Sequence, residues 1–175
     1  MSIPEKMLAL HHALDGAKLP HAFGGALALA WCTQQARGTI DIDLNVFVGT
    51  DRVDDVLAAL PEGVASIEPD RATLVRDGQQ RLWWDRTPVD VFLNTTEYHD
   101  QVGHRARCEQ FAGERLPFLA CADLAVFKAF FNRTKDWADL EAMRDAGTLD
   151  LDRVVGVLVR YLGIDDERVA RLRSL

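Results

Sequence analysis

Between residues 4 and 18 the apolar positions Met7, Leu8, Leu10 and Leu14 recur at helical spacing behind Pro4, which predicts an amphipathic helix. A break at "LPHAFGG" separates it from "GALALAWCTQQA", a second, largely buried helix that starts at Gly24–Gly25. The run "IDIDLNVFV" is a strand, and "GTDRVDDVLAALPEG" is a turn followed by an amphipathic helix capped by Thr50 or Asp51. Three short β-like pieces follow, "ATLVRDG", "RLWWD" and "PVDVFLN", punctuated by Gly78 and Pro88. Residues 97–106 are helix-like, a hairpin turns around Gly113, and the chain is then helical over 121–132, 135–146, 150–162 and 165–174. This order predicts an α+β fold, a small mixed sheet of about four strands flanked by helices. Residues 1–116 form its core and residues 117–175 a helical C-terminal part packed on it, together one structural domain.

The balance of 48% hydrophobic and 27% charged residues is that of a globular chain able to bury a core. The N-terminus shows no basic segment leading into an apolar stretch. The longest apolar run, "GGALALAWC", is far short of the roughly 20 residues that span a bilayer, so the expected location is the cytoplasm, with no membrane partner. Cys32, Cys108 and Cys121, odd in number and widely spaced, read as reduced structural thiols. The net charge of −7 argues against a generic nucleic-acid coat, and it is unevenly spread. Residues 1–100 carry 8 Lys and Arg against 15 Asp and Glu, whereas residues 101–175 carry 12 of each. The acidity therefore lies in the half that holds the most unusual residues.

Those residues are Asp41 and Asp43, set one apart in a strand of Ile, Leu, Val and Phe. Strand positions i and i+2 share a face, so the two carboxylates project together while Ile40, Ile42 and Leu44 pack behind. Like charges this close are relieved by a divalent cation, and carboxylates are the hard oxygen ligands that Mg²⁺ or Mn²⁺ takes. Asp90 interrupts a second apolar strand in the same way, between Val89 and Val91. Three aspartates facing one cleft would serve two metal ions and an in-line displacement at phosphorus. An EF-hand is excluded, because its sixth and twelfth positions are Val46 and Arg52 here. A haloacid-dehalogenase motif would need Thr at Asn45. Ahead of the aspartates, Gly24 and Gly25 open a helix where bare backbone could approach a triphosphate, or where a tight turn needs positive φ. Neither a Walker A loop nor G-x-G-x-x-G is present.

Taken together, "FGGALALAW", "RGTIDIDLNVFV" and "VDVF" resemble the nucleotidyltransferase superfamily, of polymerase-β-like fold. Arg37-x-Thr39-x-Asp41-x-Asp43 and "DLAVFKAFFNRTKDWADLEAM" further resemble the AbiEii-type toxins of toxin–antitoxin systems, over about residues 20–145. The resemblance implies transfer of NMP from an NTP to an acceptor hydroxyl with release of pyrophosphate. Asp41, Asp43 and Asp90 would hold two Mg²⁺ or Mn²⁺ ions, and Asp136 would be a further acidic catalytic position. Gly24, Gly25, Arg37, Thr39 and Lys128 would bind the nucleotide. The implied acceptor is the tRNA 3′ end, and the implied partner is a cognate antitoxin protein. Competing readings are an antibiotic-type small-molecule nucleotidyltransferase and a catalytically silent NTP-binding module or antitoxin. Lys128 also reads as a helix lysine reaching solvent, and Asp136 as a helix-start cap. Adjacent His11 and His12, and His99 with His104, lack metal-ligand spacing, and Trp83 and Trp84 are expected in the core.

Overall fold

In the structure, a computed structural model, residues 1–36 and 38–175 are described. Helix α1 (Ile3–Gly16) begins on a capping box: the Glu5 carboxylate accepts from the Ser2 amide at 2.6 Å while the Glu5 amide donates to Ser2 Oγ at 3.4 Å. It buries Met7, Leu10 and Leu14 of the predicted stripe, with Leu8 half-buried, and also Lys6. There follow β1 (His21–Phe23), α2 (Gly25–Thr33), β2 (Ile42–Gly49), α3 (Val53–Ala59), β3 (Val64–Ala65), α4 (Glu68–Asp77), β4 (Gln79–Trp84), β5 (Thr87–Asn94) and α5 (Glu97–Val102). The chain then runs through β6 (Arg107–Phe111), β7 (Glu114–Phe118), α6 (Cys121–Phe131), α7 (Thr134–Asp145), α8 (Leu151–Leu162) and α9 (Glu167–Arg173).

The strands form one mixed sheet in the order β3-β4-β5-β2-β1-β7-β6. The β2/β5 and β1/β7 pairs are parallel and the other neighbours antiparallel. The fold is thus α+β, with more strands than the sequence pattern announces. β1 and β3 are three and two residues long, too short for alternation to register. The hairpin expected around Gly113 is β6–β7. "ATLVRDG", expected as a strand, lies in α4: Pro69 occupies the first turn, Asp70 accepts from the Ile67 amide at 3.0 Å, and Gly78 ends the helix at φ +69°. Only Leu74 of α4 is buried, and Val75 beside it is 44% exposed.

By contact density the chain divides into two units. The first contains the whole sheet with α1 and α3–α5. In it, Lys6 lies beneath the two-residue connection between β4 and β5. Its ammonium donates to the Trp84 carbonyl at 2.7 Å, to Thr87 Oγ1 at 3.1 Å and to the Asp85 carboxylate at 3.2 Å. The second unit contains most of α2 with α6–α9. There α6 lies against α7, α8 and α9, and the buried side chains include Leu124, Trp137, Leu140, Val154, Leu158 and Leu172. The structure corrects the expectation of reduced thiols: Cys32 and Cys121, 89 positions apart, form a disulfide, and Cys108 is an exposed free thiol. That pairing comes from helix packing, which sequence spacing does not disclose. No helix among the described residues is long and apolar enough to cross a membrane.

Candidate active site

The two parallel central strands carry the site. In β2, Ile42, Leu44, Val46 and Val48 are buried; in β5, Val89, Val91 and Leu93 are. The intervening positions bring Asp43 and Asp90 to the opposite face, where they are direct register partners. On the far side of β5, Arg81 of β4 is the register partner of Asp90. Beyond β2, the Gly24 amide donates to the Asp43 carbonyl at 2.8 Å, just past the end of β1. Arg81, Asp90, Asp43 and Gly24 therefore form one line across four strands, with neighbouring strands about 4.8 Å apart.

Asp41 precedes β2, and its backbone is stitched to Thr39: the Asp41 amide donates to Thr39 Oγ1 and the Thr39 hydroxyl donates to the Asp41 carbonyl, both at 3.2 Å. Ile40, expected behind the aspartates, is 72% exposed because the strand starts only at Ile42. Gly25 sits at φ +56° at the start of α2, and a Cβ there would lie 1.8 Å from Asp43 Oδ2. Only a residue without a side chain lets the Asp43 carboxylate rest against this helix start. At Gly24 a Cβ would meet Asn45 Nδ2 at 3.0 Å and Leu119 Cδ1 at 3.2 Å, a milder approach.

Arg81 brings a positive charge to this face. Its guanidinium forks onto Asp90, Nε to Oδ1 and Nη2 to Oδ2, both 2.7 Å, and Nη2 also donates to Asp41 Oδ2 at 3.2 Å. The hydrogen bonds to Asp90 hold the guanidinium still more firmly protonated than usual; burial is the next-largest influence and opposes them, while the charges of Asp90 and Asp41 add to them. Among the described residues no three His, Cys, Asp or Glu side chains come together as a group able to hold a metal ion. The Asp41 and Asp90 carboxylates instead turn onto Arg81. As a donor set, three carboxylates on one face remain the hard-oxygen chemistry that Mg²⁺ or Mn²⁺ requires.

The other predicted residues stand in the second unit. Lys128 of α6 is buried rather than solvated: its ammonium lies 2.6 Å from Asp139 Oδ2 and 3.7 Å from Asp136 Oδ1. Asp136, wholly buried, accepts from the Arg133 amide at 3.3 Å at the start of α7 and from Arg133 Nε at 2.6 Å. It therefore does cap the helix. Arg37 lies outside the described residues. Arg81 and Asp139 were not singled out by sequence reasoning. Asp139 is the last acid of "KDWAD", three residues after Asp136 and on the same helical face. Arg81 is signalled only through register, being as far before the Asp85–Arg86 turn as Asp90 is after it. Trp83, expected in the core, is 49% exposed, because alternation puts it on the Arg81 side of β4 while Trp84 is buried. His11 Nδ1 and His21 Nε2 are hydrogen-bonded at 2.9 Å, with His21 Nδ1 donating to the Leu19 carbonyl at 2.8 Å.

No family model and no curated protein matches this chain. Solved structures do. The antibiotic-resistance factor ANT(2'')-Ia in solution matches with a TM-score of 0.56 at 16% identity, over 98% of this chain and 89% of its own. An antigenic nucleotidyltransferase-like protein from Paracoccidioides brasiliensis matches with a TM-score of 0.57 at 12% identity, over 95% of this chain and 91% of its own. ANT(2")-Ia in complex with adenylyl-2"-tobramycin matches with a TM-score of 0.55 at 17% identity, over 97% and 94%. At these identities the likeness is one of architecture, and it runs nearly end to end in each pair: this chain has the nucleotidyltransferase fold.

Proposed function

We propose that the chain is a divalent-metal-dependent nucleotidyltransferase that moves NMP from an NTP to an acceptor hydroxyl and releases pyrophosphate. The observation that carries this reading is the line of Asp90, Asp43 and Gly24 across β5, β2 and the end of β1, with Gly25 bare against Asp43. The first amides of α2 have no partner within the helix and favour phosphate oxygens. Gly24 and Gly25 would line the triphosphate there. Asp41, Asp43 and Asp90 would hold Mg²⁺ or Mn²⁺, which offsets the triphosphate charge and the charge that develops on the departing pyrophosphate. The acceptor oxygen attacks the α-phosphorus as the bond to the pyrophosphate oxygen breaks, and Asp90 would help to take the hydroxyl proton. Thr39, Arg37, Lys128 and Asp136 keep the nucleotide-contact and acidic roles that the sequence resemblance implies.

For the acceptor, the AbiEii-type sequence features support the tRNA 3′ end, in a toxin that a cognate antitoxin would restrain. A second reading, a small cationic acceptor of the aminoglycoside kind, is supported by the acidity of residues 1–100 and by the architectural likeness to ANT(2'')-Ia. The test is incubation with each α-labelled NTP and Mg²⁺, with total tRNA in one arm and aminoglycosides in the other. Label on RNA supports the first acceptor and label on drug the second. Label on neither, with Asp90→Asn indistinguishable from wild type, removes the catalytic reading in favour of a silent nucleotide-binding module.

A further inference from the structure

Arg81 takes the position that a cation would take. Its charge lies between the Asp41 and Asp90 carboxylates, two of the three proposed metal ligands, and it contacts both. The arginine is nevertheless held in a way that permits its release. Its side chain is 46% exposed, against 30% for Asp41 and 20% for Asp90, so water can take over its hydrogen bonds. It stands on β4, outside the two strands that carry the carboxylates, so its side chain can swing away without disturbing the β2/β5 ladder.

We propose that Arg81 is a tethered competitor for the divalent cation: it holds Asp41 and Asp90 in place while the metal is absent and must let go of them for the metal to bind. Arg81 is then a positioning residue, and metal entry and guanidinium release are one linked event. This rests on the nucleotidyl-transfer reading of the same aspartates. If the engaged arginine is the dominant state, the apparent metal affinity falls by the fraction of molecules in which it is disengaged. Replacing the guanidinium by a neutral side chain removes that penalty.

The experiment measures Mn²⁺ binding to the full chain by electron paramagnetic resonance or calorimetry, without nucleotide, in wild type, Arg81→Gln, Arg81→Lys and Arg86→Gln. Arg86, in the adjoining turn, controls for the loss of one positive charge. Arg81→Gln is expected to bind Mn²⁺ about tenfold more tightly than wild type, with Arg81→Lys between them because an ammonium cannot fork. Arg86→Gln is expected to leave the affinity unchanged. Thermal melts supply an independent reading: Mn²⁺ should raise the melting temperature more in Arg81→Gln than in wild type. Equal Mn²⁺ affinity in wild type and Arg81→Gln, with transfer activity present, overturns the competitor role and leaves nucleotidyl transfer standing. An equal gain in Arg86→Gln also overturns it, because bulk charge would then be the cause. No Mn²⁺ binding in any variant, together with no transfer, overturns both this proposal and the reading beneath it.

Discussion

Gly25→Ala is the sharpest perturbation of the candidate site. The new methyl would stand 1.8 Å from Asp43 Oδ2 and 2.5 Å from its Cγ, so the carboxylate must rotate or the start of α2 must retreat. Two costs combine. An alanine held at φ +56° costs about 1–2 kcal/mol relative to ordinary helical backbone. Forcing the aspartate off its rotamer costs about 0.5–1.5 kcal/mol more. The sum, about 1.5–3.5 kcal/mol, corresponds to a loss of about 3–14 °C in melting temperature for a chain of this size. The functional loss should be larger, because displacing one ligand by about 1 Å costs about a hundredfold in rate. Gly24→Ala is the companion measurement, since its methyl would meet nothing nearer than 3.0 Å and its backbone is not in the left-handed region. Scanning calorimetry and transfer assays on both variants check the reasoning. If Gly25→Ala melts and reacts as wild type does, or if Gly24→Ala is the more damaging, the close packing of Asp43 against Gly25 is not what the site depends on.

Lys128→Met removes the ammonium that lies 2.6 Å from the buried Asp139 carboxylate. It should cost about 3–5 kcal/mol by urea denaturation, and Lys128→Met combined with Asp139→Leu should cost less than the single change. Replacing Cys32 and Cys121 by alanine opens a loop closed across 89 positions and should lower stability by about 4 kcal/mol, measured against the oxidised wild type. Burial lowers the affinity of His11 and His21 for protons, with Asp15 pulling the other way in each case. The folded state therefore binds fewer protons than the unfolded chain between the lowered values and the ordinary value of about 6.5. Stability should be full above that value and decline as pH falls through it, and His11→Gln with His21→Gln should flatten the decline in melts followed down to about pH 5.

Much of this arrangement was legible because strand alternation is a local property. It put Asp41 and Asp43 on one side of "IDIDLNVFV" and marked Asp90 as a second acid in an apolar strand. The segment "KDWADL" drew attention only through the resemblance to the AbiEii-type toxins. What stayed hidden depends on how distant segments meet. Arg81 looks like an ordinary exposed strand residue until the two-residue turn sets it opposite Asp90. Cys32 and Cys121 look unrelated until α2 and α6 bring their Cα atoms to 5.6 Å. In α4 the apolar Leu74 and Val75 suggested a strand, while the deciding information lay in Pro69, Asp70 and Gly78 at the helix ends.

The lysine beneath the β4–β5 turn has a mechanical consequence for the line of charges across the sheet. A hairpin that slipped by a single residue would throw Arg81 to the apolar side of the sheet and set a neighbour opposite Asp90. Lys6 grips three points around that turn at once, so it acts as the peg that locks the hairpin's phase. The alignment of charges on the open face is thereby governed from beneath the sheet, by the first helix of the chain.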